Sequence, residues 1–379
     1  MKNIYLDYAA ATPMDTGVLK AMKPYFTDNF YNPSATYLAA RGVKQELDEI
    51  RHRVAIALGS KPAEIIFTAG ATEANNLAIQ GTRRQYPDSE ILVSAIEHES
   101  VLEPARLFGA TEIPVDEHGV IILNKLSNLI SAQTVLVSVM LVNNELGTIQ
   151  PLKEISRMLE KIRSERLAAG NKLPIYLHAD VAQAGNFLDL HASRLGVDMM
   201  SINGGKIYGP KQSGALYFKA GVRLKPLIVG GGQEFGLRSG TENAAAAAGL
   251  AKALEAAQQR RPAEVYRINT LREDFEKELN EKFPKAFING SKKGRAPHII
   301  SLTFPGLDNE RLMMGLDERG IQCAVGSACS ASRDQASHVL SAIGLSQADT
   351  RSTLRFSLGR GTTAADLQET LLALGDLTL

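Results

Sequence analysis

The chain has no tryptophan and only two cysteines in 379 residues, and neither sign of charge prevails. Lys plus Arg number 42 and Asp plus Glu 41, a formal net charge of +1, which gives no electrostatic reason for a nucleic-acid partner or an acidic membrane surface. Two cysteines cannot build a disulfide framework, and no C-x-x-C pair offers zinc its usual ligands. A reducing, cytoplasmic setting is expected. Long hydrophobic runs are missing too. The strongest, "TVLVSVMLV" (134–142), is too short to span a bilayer and reads as a buried strand. The opening "MKNIYLDYAAATP" carries Asp7 and Pro13 where a signal peptide needs an unbroken apolar run.

What is present is an ordinary globular composition, 44% apolar and 22% charged, in a chain too long for a single hydrophobic core. Two domains are therefore expected, with 14–260 as the larger and 1–13 plus 261–379 as the smaller. Between about 60 and 220, short apolar segments alternate with helical spacing. Strands are predicted at "EIIF" (64–67), "EILVSA" (90–95), "TVLVSVMLV", "PIYLHAD" (174–180), "VDMMSIN" (197–203) and "GALYF" (214–218). That alternation predicts an α/β domain with a mostly parallel sheet, whose ligands bind beyond the carboxyl ends of its strands. Two helical stretches, 243–260 and 263–282, meet at Arg261-Pro262, where a boundary is expected. Strand signals return at "HIISLTF", "IQCAV" and "TLRFSL", and Thr363-Ala-Ala-Asp366 has capping-box spacing before a closing helix. These predict a smaller α+β domain.

Several residues at predicted strand ends could carry chemistry. Lys206 in "SINGGKIYGPK" sits among glycines. Gly204 and Gly209 have phosphate-loop separation, but Pro210 follows where that motif needs lysine, so the loop is excluded. A lysine at a strand end, with backbone room on both sides, suits Schiff-base chemistry. Asp180 ends the strand of "IYLHADVAQ" and is either a helix cap or a carboxylate held against a cationic ring nitrogen. "FTAGATEANNLAI" supplies a strand, a Gly70 turn and a helix starting near Ala71-Thr72, whose free N–H groups suit a phosphate. His98 in "AIEHESV" follows another strand and could stack on a flat cofactor or move protons.

The ordered set "YLDYAAATP", "NPSA", "FTAGATEANNLAI", "EHESV", "VNNELGTIQP", "HADVAQ", "GGKIYGPK", "GGGQEFGLRSGT", "GSACSAS" and "LRFSLGR" resembles the cysteine desulfurases of the class V aminotransferase group nearly end to end. The resemblance implies a fold-type I pyridoxal-phosphate transferase that takes sulfur from L-cysteine, leaving L-alanine and an enzyme persulfide. It implies Lys206 as the Schiff-base lysine, Asp180 as the pyridinium partner and His98 as the ring-stacking acid/base. Asn144 and Gln183 would lie near the ring oxygen, and Ala71, Thr72 and Asn203 would hold the phosphate. Thr241 would reach that phosphate from a second subunit, so a homodimer with composite sites is implied. Arg355 would clamp the substrate carboxylate, a task suited to a guanidinium fork, with Asn32 beside it.

"GSACSAS" resembles the branch whose catalytic cysteine, here Cys329, rides a long mobile loop; small neighbours would let it reach the cleft and then deliver sulfur. Cys323 in "GIQCAV" reads as a strand-bound core residue. An acceptor protein, either an iron–sulfur scaffold or a tRNA-thiolation relay, is implied as partner. A selenocysteine lyase, a class V aminotransferase and a non-catalytic sulfur carrier are the alternatives. Two departures stand out. The family usually has Ser-x-His before the lysine, where this chain has Asn203 and Gly205, and it often has a histidine shortly after "NPS" that is missing here.

Overall fold

The computed structural model describes residues 3–326 and 337–378. In chain order its strands are β1 (Ile4–Tyr5), β2 (Ile65–Thr68), β3 (Glu90–Ser94), β4 (Thr111–Ile113), β5 (Thr134–Ser138), β6 (Tyr176–Asp180), β7 (Met199–Asn203), β8 (Gly214–Phe218), β9 (Phe287–Ile288), β10 (Ile299–Thr303), β11 (Ile321–Gln322) and β12 (Thr353–Ser357). A seven-stranded sheet has the order β2-β8-β7-β6-β5-β3-β4. From β7 through β4 all neighbours are parallel, while β8 is antiparallel to both β7 and β2. β2 therefore points the same way as β7. Every residue of β5 and β6 is buried, as expected of strands covered on both faces by crossover helices. This is the expected α/β class with a mostly parallel sheet.

A second, antiparallel sheet has the order β12-β10-β9, and β1 pairs in parallel with β11. These elements gather a separate apolar cluster that includes Ile4, Phe275, Ile300, Leu316 and Phe356. The closing helix Ala364–Thr378 begins as its capping box predicts: Thr363 Oγ1 donates to Asp366 Oδ2 at 2.7 Å and Asp366 N–H returns to Thr363 Oγ1 at 3.3 Å.

The expected break at Arg261-Pro262 is absent. A single 39-residue helix, Ala244–Lys282, runs through Pro262. Proline removes one backbone hydrogen bond and crowds the preceding turn, which costs about 3 kcal/mol. Both halves of this helix are anchored by burial. Ala245, Leu250 and Leu254 pack into the core around the large sheet, whereas Ile268, Phe275 and Leu279 pack into the second cluster. Burying several such side chains, at about 1.5–3 kcal/mol for each large one, outweighs the proline. The helix thus joins the two cores. Among the described residues, no helix is long and apolar enough to cross a membrane.

Candidate cofactor and substrate site

Five chain segments leave the carboxyl edge of the large sheet and converge on a cavity of about 260 Å³. The segment after β2 brings Ala71 and Thr72; that after β3 brings His98 and Ser100; that after β5 brings Asn144. β6 ends at Asp180 with Gln183 just beyond, and β7 leads through Asn203 to Lys206. Arg355 reaches the same cavity from β12 of the second sheet. Of the twelve residues singled out in the sequence as site residues, nine line this cavity, while Asn32 and Thr241 do not. Asn32 is exposed, and its Oδ1 accepts the Ser34 N–H at 2.9 Å; Thr241 is exposed in the loop before the long helix. Cys329 lies outside the described residues.

The N-terminal segment ties the site together. Lys206 Nζ donates to the carbonyls of Ala9 at 2.8 Å and Ala10 at 2.5 Å, and Gln183 Nε2 also donates to Ala9 O at 2.9 Å. Asp7 Oδ1 accepts from Arg355 Nη2 at 2.6 Å, while Arg355 Nη1 donates to Asn144 O at 3.0 Å. The guanidinium is 3% exposed, and its Nε–H has no hydrogen-bond partner among the described residues. Arg355 nonetheless lines the cavity, which places its positive charge where it can attract an incoming carboxylate.

Asp180 is buried at the strand end. Its Oδ1 accepts from Ala182 N–H at 2.8 Å and its Oδ2 from Asn75 Nδ2 at 2.7 Å. Burial lowers the His98 pKa from its ordinary value; Asp180 works against that and Lys206 adds to it. The neighbouring Glu97 carboxyl is pushed well above the carboxylate range by burial and by Asp180. The helix Ala71–Gln85 starts at Gly70, whose φ of 130° favours glycine, and no side chain caps its first turn. Its N–H groups are therefore left to face an anion. Sequence reasoning missed Asp7, Asn75, Ser100 and Glu97. Asn75 carried a usable signal, since a polar residue recurs on the buried stripe of Ala71, Ala74 and Ala78.

Cys323 follows β11, is partly buried against the second cluster, and burial pushes its thiol up to about 12. A thiol held that firmly protonated is a poor nucleophile, in keeping with the core role expected for it.

The family model for class-V aminotransferases matches residues 4–370. The chain belongs to that family. Its relatives include "Cysteine desulfurase IscS" of Dictyoglomus turgidum, 38% identical over 377 residues, with 98% of this chain and 93% of the relative covered. "Cysteine desulfurase IscS 1" of Archaeoglobus fulgidus is 38% identical over 374 residues, covering 97% of this chain and 94% of that one. Among solved structures, a NifS-like protein from Rickettsia africae superposes with a TM-score of 0.88 at 29% identity, covering 100% and 99% of the two chains. A protein described as SspA in complex with cysteine gives 0.79 at 35% identity, covering 94% and 98%.

Class-V aminotransferases of this kind depend on pyridoxal 5'-phosphate. The donor set fits that cofactor. An uncapped helix start with a threonine suits its phosphate, a buried carboxylate at a strand end suits its cationic ring nitrogen, and an amine lies in the same cavity.

Proposed function

We propose that this chain is a pyridoxal-phosphate-dependent cysteine desulfurase that passes sulfur from L-cysteine to an acceptor protein. The observation that carries the reading is the convergence of Lys206, Asp180, His98 and Arg355 on one cavity. When bound, the cofactor supplies an electron sink for the negative charge left at the substrate α-carbon.

The residues then divide the work. Ala71, Thr72 and Asn203 hold the phosphate, Asp180 holds the ring nitrogen protonated, and Asn144 and Gln183 orient the ring oxygen. Lys206 Nζ anchors the cofactor and carries the α-proton. Arg355 binds the substrate carboxylate, and His98 moves a proton at its ring nitrogen. Cys329 as thiolate takes the sulfur: L-cysteine and the Cys329 thiol become L-alanine and the Cys329 persulfide, with no other oxidant or reductant.

A homodimer is part of this reading. Thr241 completes the phosphate site of the second copy, which accords with its exposure and with exposed Ile228, Val229 and Phe235 on the same stretch. The protein works in the cytoplasm, and its acceptor is an iron–sulfur scaffold or a thiolation relay. Residues 14–260 form the larger domain, and 1–13 with 261–379 the smaller. The test is to incubate the purified holoenzyme with L-cysteine, with and without reductant, and to measure alanine and sulfide. Equal yields of both with reductant are expected. Formation of a keto acid without alanine would identify an aminotransferase instead.

A further inference from the structure

We propose that Asn75 and Ser100 are positioning residues that transmit the orientation of the Asp180 carboxylate to the His98 ring and fix its proton on Nε2. The inference rests on the proposed function for its catalytic meaning, but the geometry stands without it. Asn75 is fully buried on the helix Ala71–Gln85, and its Nδ2 spends both hydrogens: one to Asp180 Oδ2 at 2.7 Å and one to Ser100 Oγ at 2.8 Å. Its Oδ1 has no hydrogen-bond partner among the described residues. The reverse amide orientation would set that oxygen 2.7 Å from a carboxylate oxygen, acceptor against acceptor. Asp180 therefore dictates which way the amide faces.

Each later link follows from donor and acceptor counting. Ser100 Oγ receives a hydrogen from Asn75 and lies 2.8 Å from His98 Nδ1, to which its own hydroxyl hydrogen goes because that nitrogen already accepts from a backbone N–H. The Ser100 backbone N–H donates to the same Nδ1 at 3.0 Å. A nitrogen that accepts from a backbone N–H carries its lone pair there, so the ring proton is on Nε2. Burial, which disfavours the charged ring, supports the neutral form. Among the described residues, the charged groups acting on the His98 ring are Asp180 and Lys206 from neighbouring strand ends, Glu99 on its own helix and His338 from the helix His338–Ala342. In turnover, His98 thus starts as a neutral ring that donates from Nε2.

The test uses the holoenzyme with 15N-labelled histidine, His98 being assigned from a His98→Gln variant. Long-range couplings should show the wild-type ring neutral with hydrogen on Nε2, and a titration should place its midpoint below the ordinary 6.5. Ser100→Ala removes the hydroxyl donor to the neutral ring, so the midpoint should rise by about half to one pH unit. Asn75→Leu should raise it similarly, and the double variant should rise by less than the sum of the two, because both act through one chain. Ser100→Thr should restore the wild-type midpoint. The acid limb of the kcat profile should shift with the NMR midpoint. Hydrogen on Nδ1 in the wild type, or an unmoved midpoint in folded Ser100→Ala, would overturn the proposal, as would fully additive singles. Ser100→Ala decides the matter even if Asn75→Leu does not fold. The NMR measurements need no L-cysteine, so a wild-type enzyme that releases no alanine would refute the proposed function and leave this network intact.

Discussion

The two glycines before Lys206 should respond oppositely to a side chain, which makes position 205 a quantitative probe of the phosphate site. A Cβ at Gly204 would lie 2.1 Å from Ser213 Oγ and 3.1 Å from Pro210 O, so the local structure would have to shift. At Gly205 the nearest atoms would be Asn203 Oδ1 at 3.6 Å and Lys211 Cα at 3.8 Å, an ordinary contact, and its φ is not in the left-handed region. The backbone there is already pinned. Gly205 N–H donates to Asn203 Oδ1 at 3.2 Å, and its carbonyl accepts from Thr12 N–H at 3.2 Å and Thr12 Oγ1 at 3.1 Å. A histidine at 205 would keep all three bonds. A new charge-assisted bond to the phosphate contributes about 1.5–3 kcal/mol, less about 1 kcal/mol for ordering the side chain. The net, about 0.5–2 kcal/mol, corresponds to roughly 2–30-fold tighter binding. Apoprotein titrated with pyridoxal phosphate, followed by visible absorbance, should therefore show a Kd about tenfold lower for Gly205→His. Gly204→Ala should lose stability by about 1–3 kcal/mol in urea melts. A folded Gly205→His protein whose Kd is unchanged or higher would refute the reasoning.

Lys206→Ala should abolish turnover and the borohydride-reducible lysine adduct; mass spectrometry that places the adduct on Lys211 in the wild type would contradict the assignment. Cys329→Ala should still load cofactor and change its spectrum with L-cysteine, yet release almost no alanine or sulfide. Cys323→Ala should keep most activity at a packing cost of about 1 kcal/mol, and alkylation should proceed faster at Cys329 than at Cys323. Acid should destabilise the fold through His178 and His298, whose burial lowers both pKa values to about 3 from an ordinary 6.5. Between those values the unfolded chain binds more protons, so each histidine removes up to about 1.4 kcal/mol per pH unit as pH falls from 6.5. Urea midpoints at pH 7.5 and pH 5 should show the loss, and His178→Gln should lessen it. A flat profile would show that neither ring is held neutral.

Local information was enough for much of the molecule. Apolar runs bounded by turn residues marked β3 and β8 almost to the residue, because such segments are buried whatever surrounds them. The ends of β3, β6 and β7 carried His98, Asp180 and Lys206, whose types and order pointed to the cofactor before any geometry was known. Cys329, which lies outside the described residues, rests on sequence alone. Short strands such as β1 and β4 left no signal, since two or three residues carry no periodicity and pair only because a partner strand is already there. Pro262 read as a break, because proline's local cost is visible in sequence while the two cores that override it are not. Asp7 meeting Arg355 across 348 positions, and Asn75 joining Asp180 to Ser100, are likewise decisions of the tertiary structure. Periodicity and turn chemistry act over a few neighbouring residues, but a buried hydrogen bond exists only once the chain has closed around both of its partners.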